Sequence, residues 1–384
     1  MKFFHLSDLH FGKQLHGYDL HLEQRNFISQ LCDCLKSEKP DAVLISGDIY
    51  DKSVPASSAV SLLDELLVAL EDVTVLIIAG NHDSAERLKY GKSFLEKHDI
   101  HISVMPPQKE GDKLEKIVLE DEYGKVNFYM LPFLKPSMVR HFMPDEASQG
   151  EQAIIAKLLA DEDIDYSSRN VILTHQFYVN GTVMPVMCDS ELRPVSAGGT
   201  DAVDISVLDG FDYAALGHIH SAQYVKEEKF RYCGTPLKYS VSEAGQDKSI
   251  TVVTIGAKTE GICINTLPIK TKHDVLKLRG SLADIIAASN ESNRQDYVSI
   301  TLIDDDIPEM VKEYIEPYFE NILEIIVDNK RTRQILNEDV ADFKELTPYE
   351  AFGAFFKEVL GRVMNEQEDT LIKEIISEVN NETN

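Results

Sequence analysis

The chain has 384 residues, more than one ordinary hydrophobic core supports, so the length predicts two or three domains. An apolar fraction of 43% with 27% charged residues fits a globular protein and excludes a disordered one, and 20 Gly with 14 Pro exclude a collagen-like repeat. With 38 Lys and Arg against 65 Asp and Glu the net charge is −27, which excludes binding a polyanion by bulk charge: action on phosphate would need metal ions, local basic loops or a partner.

No apolar run approaches the roughly 20 residues that cross a bilayer. The opening Met1-Lys2-Phe3-Phe4 imitates a signal peptide only until Asp8 and His10 interrupt it, so a cytoplasmic location is expected. The first two thirds alternates short apolar runs with helical segments, as an α/β domain does. Strands are predicted at Phe3–Ser7, Ala42–Ser46, Val73–Ala79, Val126–Leu131, Val171–Thr174, Tyr213–Leu216 and Ile250–Ile255, and helices at 21–36 and 58–70. In the second helix Val60, Leu63, Leu67 and Leu70 recur at helical spacing. Residues 106–115 and 143–151, with Pro, Gly, Asp and Glu, read as loops at the rim.

A boundary at 268–273 precedes a small α+β unit, with strands at 275–279, 297–303 and 322–327 and helices at 281–289 and 308–319. Thr347 and Pro348 suit the N-cap and first position of a C-terminal helix in which Phe352, Phe355, Phe356, Val359 and Val363 share one face. Glu366–Val379 forms a second amphipathic helix. The pair reads either as a hairpin folded on its own domain or as a docking element for a partner helix. The five cysteines, Cys32, Cys34, Cys188, Cys233 and Cys263, lack a C-x-x-C pair and read as buried structural thiols.

Five segments carry metal-ligand residue types, each starting where a predicted strand ends: Asp8-Leu9-His10, Gly47-Asp48-Ile49-Tyr50-Asp51, Gly80-Asn81-His82-Asp83, Thr174-His175-Gln176 and Gly217-His218-Ile219-His220. In an α/β sheet the carboxyl ends of the strands converge on one rim, so the five loops can meet. Each alone is a weak signal, and Gly-Asn-His-Asp is equally a turn. As a set in one order they point to two divalent ions about 3.5–4 Å apart, clamping the attacking and leaving oxygens of a phosphoryl displacement. Such a site needs one bridging carboxylate, for which Asp48 is the natural choice. Its mixed imidazole and oxygen shells suit Mn, Fe or Zn better than Mg. Glycines at 47, 80 and 217 let the backbone turn sharply enough to aim the ligands into one cavity. His5, His21, His98, His101, His141 and His273 have no partner pattern and read as structural or exposed.

These segments resemble the five-motif signature of the calcineurin-like metallophosphoesterases. Within that superfamily His5-Leu6-Ser7-Asp8-Leu9-His10-Phe11-Gly12-Lys13, the other motifs and Gly234-Thr235-Pro236-Leu237-Lys238-Tyr239-Ser240 resemble the bacterial SbcD-type nuclease subunits. The likeness runs over residues 1–270 and more loosely beyond. It implies an α/β fold of two facing β-sheets flanked by helices over 1–270. It further implies a small α+β capping domain over 271–340 and a C-terminal helical hairpin over 341–384 that docks on the coiled coil of an SbcC-like ATPase. By the same resemblance Asp8, His10 and His220 hold one ion, Asn81, His175 and His218 the other, and Asp48 is shared. Mn is the expected metal, with a hydroxide between the ions as nucleophile. His82 would contact the scissile phosphate and stabilise or protonate the leaving oxygen, with Asp83 orienting its ring.

Asp51 stands where archaeal and eukaryotic relatives have a catalytic-site His, which leaves open whether residue 51 touches substrate. Lys13, His16, Arg25, Arg87 and Lys238 are candidates for DNA phosphate contacts, the alternative being solvated surface charge. Phe352, Phe355, Phe356 and Val359 are the partner-binding candidates, and the segments at 58–70 or 84–97 could form a homodimer. The implied function is a metal-dependent DNA nuclease, exonuclease on duplex ends and endonuclease on single strands and hairpins, in DNA repair. Two alternatives share the fold: a small-molecule phosphatase or cyclic nucleotide phosphodiesterase, and a non-catalytic scaffold. The segment after residue 270 speaks against the first, and the intact ligand set against the second.

Overall fold

The structure is a computed structural model and describes residues 1–191, 202–329, 332, 348–360, 362–365 and 367–373. The principal strands are β1 (Lys2–Leu6), β2 (Ala42–Ser46), β3 (Thr74–Ile78), β4 (Ile100–Ser103), β5 (Glu115–Asp121), β6 (Gly124–Leu131), β7 (Arg169–Thr174), β8 (Tyr213–Leu216), β9 (Gln223–Val225), β10 (Glu227–Tyr232), β11 (Ser249–Ile255) and β12 (Ile262–Pro268). They form two six-stranded sheets, in the orders β12-β11-β1-β2-β3-β4 and β9-β10-β8-β7-β6-β5. Strands β1 to β4 are parallel, as are β6, β7, β8 and β10, and antiparallel strands extend one edge of the first sheet and both edges of the second.

The sheets face each other. Phe3, Leu44, Leu76 and Ile78 of the first form one core with Phe128, Met130, Leu173 and Tyr213 of the second. The Phe3 and Phe128 rings meet edge-on at 5.7 Å. The alternate residues Phe4, Val43, Ile45, Val75 and Ile77 point the other way, into a second core shared with helices α1 (His21–Glu38) and α2 (Ser57–Ala69). Helix α3 (Glu151–Asp161) covers the outer face of the second sheet with Ile154, Ile155, Leu158 and Leu159. Both faces of the inner strands are therefore buried, which is why they read as continuous apolar runs.

Several expectations are corrected. The stripe of α2 that reaches the core is Ala59, Leu62, Leu66 and Leu70, while Val60 is 47% exposed and Leu63 and Leu67 are half-buried. This helix is apolar around more than one ridge, so spacing alone did not choose the face. Residues 143–151 are not a loop: Pro144–Gln149 is a short helix with Pro144 at its start, and Gly150, at φ 100°, separates it from α3. The 106–115 loop gives way at Glu115 to the β5–β6 hairpin. Of the cysteines only Cys188 and Cys233 are buried, while Cys32 and Cys34 are half-buried and Cys263 is exposed.

Strands β13 (Val275–Gly280), β14 (Tyr297–Leu302) and β15 (Asn321–Val327) form a three-stranded sheet in that order. Helix α4 (Leu282–Ala288) follows β13 behind a capping box in which Ser281 and Asp284 exchange hydrogen bonds. The helix expected over 308–319 is confined to Val311–Ile315 behind Met310, whose φ is 61°. The chain divides into two compact units, Met1–Lys277 with Asn290–Ser299 and Phe319–Glu324, and Leu278–Ser289 with Ile300–Tyr318 and the described residues from Ile325 onward.

In the second unit, helix α5 (Pro348–Leu360) carries Phe355 at 60% and Phe352 at 36% exposure, with the Phe352 and Phe356 rings 6.3 Å apart. Tyr349 at its start donates to the Asp369 carboxylate and lies under the Lys373 ammonium, so helical residues 367–373 rest against α5. Thr347, the Val359 side chain and residues 374–379 lie outside the described residues. Among the described residues no helix is long and apolar enough to cross a membrane.

Candidate metal centre

The five motif loops leave the carboxyl ends of β1, β2 and β3 in one sheet and of β7 and β8 in the other. Ser46, the last residue of β2, joins the two rims: its hydroxyl donates to the Ala215 carbonyl at 2.9 Å, and its own carbonyl accepts His175 Nδ1–H at 2.7 Å. The loops therefore meet. Asp8 Oδ1 lies 4.0 Å from both His10 Nε2 and His220 Nε2, and those two ring nitrogens are 3.2 Å apart. Beside them Asn81 Oδ1 is 3.0 Å from His175 Nε2 and from His218 Nδ1. Asp48 Oδ2 faces both groups, 3.7 Å from His10 Nε2 and 3.4 Å from His175 Nε2.

This convergence strains the backbone. Asp8, His10, Asp48 and His218 have φ of 53°, 43°, 51° and 99°, left-handed values that cost a non-glycine residue about 1–3 kcal/mol each. Crossed hydrogen bonds hold them there, from Asp8 N–H to the Gly47 carbonyl and from His10 N–H to the Asp48 carbonyl, both at 3.0 Å. Glycine is required where loops touch: a Cβ on Gly80 would fall on the Asp48 carboxylate, and one on Gly217 on the Ser46 carbonyl and the His175 ring.

The donor chemistry fits divalent metal. Because His175 commits its Nδ1 proton to Ser46, its bare Nε2 faces two further acceptors, Asp48 Oδ2 and Asn81 Oδ1. Three acceptors at one point demand a cation. Burial alone would lower the His175 pKa, yet Asp48 and then Asp8 push it up to about 9, a proton answering the same demand. Burial likewise opposes ionisation of Asp48, but His175 and His10 outweigh it and hold the carboxyl well below the usual range. Asp8 is pushed up to about 6, chiefly by burial. Burial also pushes His10 and His218 down to about 3 and His220 well below its ordinary value, leaving neutral rings with lone pairs for metal. The Asp/His cluster fits two divalent ions, and its mixture of imidazole, carboxylate and carboxamide suits borderline transition ions.

His82 stands at the rim, 22% exposed, with Nε2 4.0 Å from Asp48 Oδ2 and its backbone N–H on Asp48 Oδ1 at 2.8 Å. Asp83 does not orient its ring. The Asp83 carboxylate turns away and accepts the backbone N–H groups of Gly80, Ile49 and Tyr50 at 2.9, 3.1 and 3.1 Å, tying two motif loops together. The ring is held instead by the Asp51 carbonyl, 2.7 Å from His82 Nδ1. The Asp51 carboxylate pairs with Lys13 at 2.8 Å and lies 3.8 Å from His10 Nδ1.

Of the other candidate cations, Arg25 is ion-paired with Glu65 on the helix surface. Lys238 is not free, since its ammonium rests on Asp274 and the Ala244 carbonyl at 2.8 and 2.7 Å. His16 and Arg87 are exposed. Several supporting groups escaped the sequence reading. Gln24 Nε2 donates to the His10 carbonyl at 2.8 Å, Tyr239 to the Leu9 carbonyl, and Ser7 to Asp8 Oδ2 at 2.5 Å. Only the adjacency of Ser7 to Asp8 was a local signal.

The calcineurin-like phosphoesterase family matches residues 1–222, and the type 5 capsule protein repressor C-terminal domain, the SbcD C-terminal domain, matches residues 271–359. Among solved structures the chain is similar to a dimetal phosphatase from Danio rerio, at 12% identity over 71% of this chain and 99% of that one with a TM-score of 0.40. It is also similar to GAP50, the anchor in the inner membrane complex of Plasmodium (12% identity, 70% of this chain, 85% of that one, TM-score 0.41). A third is Yfce, a phosphoesterase from E. coli (12% identity, 70% of this chain, 100% of that one, TM-score 0.25). With the phosphoesterase match over its first 222 residues and the SbcD C-terminal match behind it, the chain belongs to the calcineurin-like phosphoesterase family and is of the SbcD type.

Proposed function

We propose that this chain is a Mn-dependent DNA phosphodiesterase, the nuclease subunit that works in the cytoplasm with an SbcC-like coiled-coil ATPase in DNA end processing, repair and recombination. The observation that carries the reading is the paired Asp/His cluster with His82 at its rim, in a chain that continues into an SbcD-type C-terminal domain. In this reading Asp8, His10 and His220 would hold one ion, Asn81, His175 and His218 the other, and Asp48 would serve both. When bound, two divalent ions clamp the attacking and leaving oxygens and activate the attacking water. His82, its Nδ1–H fixed on the Asp51 carbonyl, presents Nε2 to the leaving oxygen; as the imidazolium it would give up the Nε2 proton there and keep the Nδ1 proton on Asp51. Asp83 keeps the Asp48 and Asn81 loops in register.

The substrates proposed are duplex ends, cut as an exonuclease, and single strands and hairpins, cut as an endonuclease. A net charge of −27 supports delivery of DNA by the partner, with the exposed His16 and Arg87 adding local phosphate contacts. We read residues 1–270 as the nuclease domain, 271–340 as the cap and 341–384 as the docking element, with Phe352, Phe355 and Phe356 on the partner. An apolar groove of about 540 Å³ lined by Val60, Leu63, Leu67, Tyr90 and Leu95 supports a homodimer through the nuclease domain.

The test is cleavage of a labelled hairpin duplex with Mn, Mg or EDTA, beside a His82→Ala control and a chromogenic phosphodiester. Mn-dependent cutting that His82→Ala abolishes is the expected result. An intact hairpin with hydrolysis of the small ester would replace DNA by a small substrate.

A further inference from the structure

Behind His220 lies a buried polar layer that the proposed chemistry does not use. Ser190 Oγ is 2.7 Å from His220 Nδ1 and 2.7 Å from Glu243 Oε1. Glu243 is wholly buried and is paired with the Lys248 ammonium at 2.6 Å. It also accepts from the Ser240 hydroxyl at 2.9 Å and the Tyr239 N–H at 3.2 Å.

These partners force the directions. A carboxylate paired with an ammonium only accepts, so the Ser190 hydroxyl donates to Glu243 and its lone pair takes the Nδ1 proton of His220. Nε2 of His220 is then unprotonated on the side that faces His10 Nε2 at 3.2 Å and Asp8 Oδ1 at 4.0 Å. The neighbouring Glu191 fixes the backbone of the same residue, accepting His220 N–H at 2.6 Å and Cys188 N–H at 3.1 Å. Ring and backbone of His220 are thus both held by one short stretch of chain. A buried ion pair is weak evidence for stability, because desolvation offsets the attraction, so its presence here calls for another role.

We propose that Ser190, Glu191, Glu243 and Lys248 form a positioning relay that sets the tautomer and aim of His220, and so the affinity of the ion shared with Asp8 and His10. The proposal rests on the ligand assignment above. It also gives a role to the Gly234–Ser240 segment, where the Tyr239 N–H and the Ser240 hydroxyl hold the Glu243 carboxylate beside Ser190.

The test uses the full chain stripped of metal, with Mn titrated by calorimetry and retained Mn counted after dialysis. Ser190→Ala should weaken one of the two Mn equivalents about 10–100-fold, the range for loss of an outer partner of a metal-bound His, and leave the other equivalent unchanged. Its ion-free Tm should fall by only about 2–8 °C, the cost of one buried N–H left without its acceptor. Ser190→Thr, which returns a hydroxyl, should restore the affinity, a rescue that a merely structural role would not produce. His220→Ala, run beside it, should lose that equivalent altogether. Two parent-like equivalents in His220→Ala would overturn the ligand assignment. A lost equivalent in His220→Ala with parent affinity in Ser190→Ala would overturn the relay alone, as would a lowered Tm without any change in Mn binding.

Discussion

Replacing Asp83 with Ala removes an acceptor that serves three backbone N–H groups at once, those of Gly80, Ile49 and Tyr50. All three residues are buried, so water does not readily replace the carboxylate. At about 1–2 kcal/mol for each donor left unpaired, the variant should lose about 3–6 kcal/mol. Large domains lose roughly 2–4 °C per kcal/mol, so Tm in EDTA should fall by on the order of 10 °C. Because the same carboxylate ties the Ile49–Tyr50 loop to Gly80, Asp48 and Asn81 lose a common anchor and Mn affinity should fall as well. Asp83→Asn should lie between, since its amide keeps one accepting oxygen but turns an N–H toward backbone donors. Thermal unfolding in EDTA and Mn calorimetry measure both effects. A parent-like Tm and two parent-like Mn equivalents, with cleavage alone lost, would refute this account and return Asp83 to orienting the His82 ring.

His82→Ala should keep both Mn equivalents and lose about 10²–10⁴ in kcat, the usual range for a general acid; lost metal would instead place the ring among the ligands. Gly217→Ala puts a methyl against the Ser46 carbonyl and the His175 ring, so metal counting should find at most one Mn where two are expected for the parent. His5 is wholly buried beside the Tyr213 hydroxyl, and burial, with Arg231 adding, pushes its pKa from 6.5 down to about 3. The unfolded chain thus takes up a proton from about pH 6.5 that the fold refuses until about pH 3, so His5 favours folding fully above that window and progressively less as pH falls through it. At about pH 4 the difference is about 3 kcal/mol, and ion-free parent should lose that much more stability than His5→Gln between about pH 7 and pH 4; parallel pH profiles would show that the ring titrates freely.

The ligand types were legible because they follow apolar runs. Asp8, Asp48, Asn81, His175 and His218 each stand one to three residues past a strand whose faces are both buried, and the carboxyl ends of such strands share a rim. The periodicity of β2 belongs to the same logic, with Leu44 between the sheets and Val43 and Ile45 under the helices. Strand β5 was missed because it alternates exposed and half-buried residues and depends on its hairpin partner β6. Helix α3 was hidden behind Pro144 and Gly150, which punctuate two helices and not a loop.

What the sequence could not show is which atom of a residue serves the site. Asp51 and Asp83 are both acidic loop residues, yet one lends its carbonyl to His82 and the other its carboxylate to three amides. Ser190 is 30 residues from His220 and 53 from Glu243, and nothing local marks it. Residue chemistry and apolar period are local properties, so the sequence by itself determined the fold class and the kind of site. The aim of a donor atom depends on contacts between segments far apart in the chain, and only the packed tertiary structure decided it.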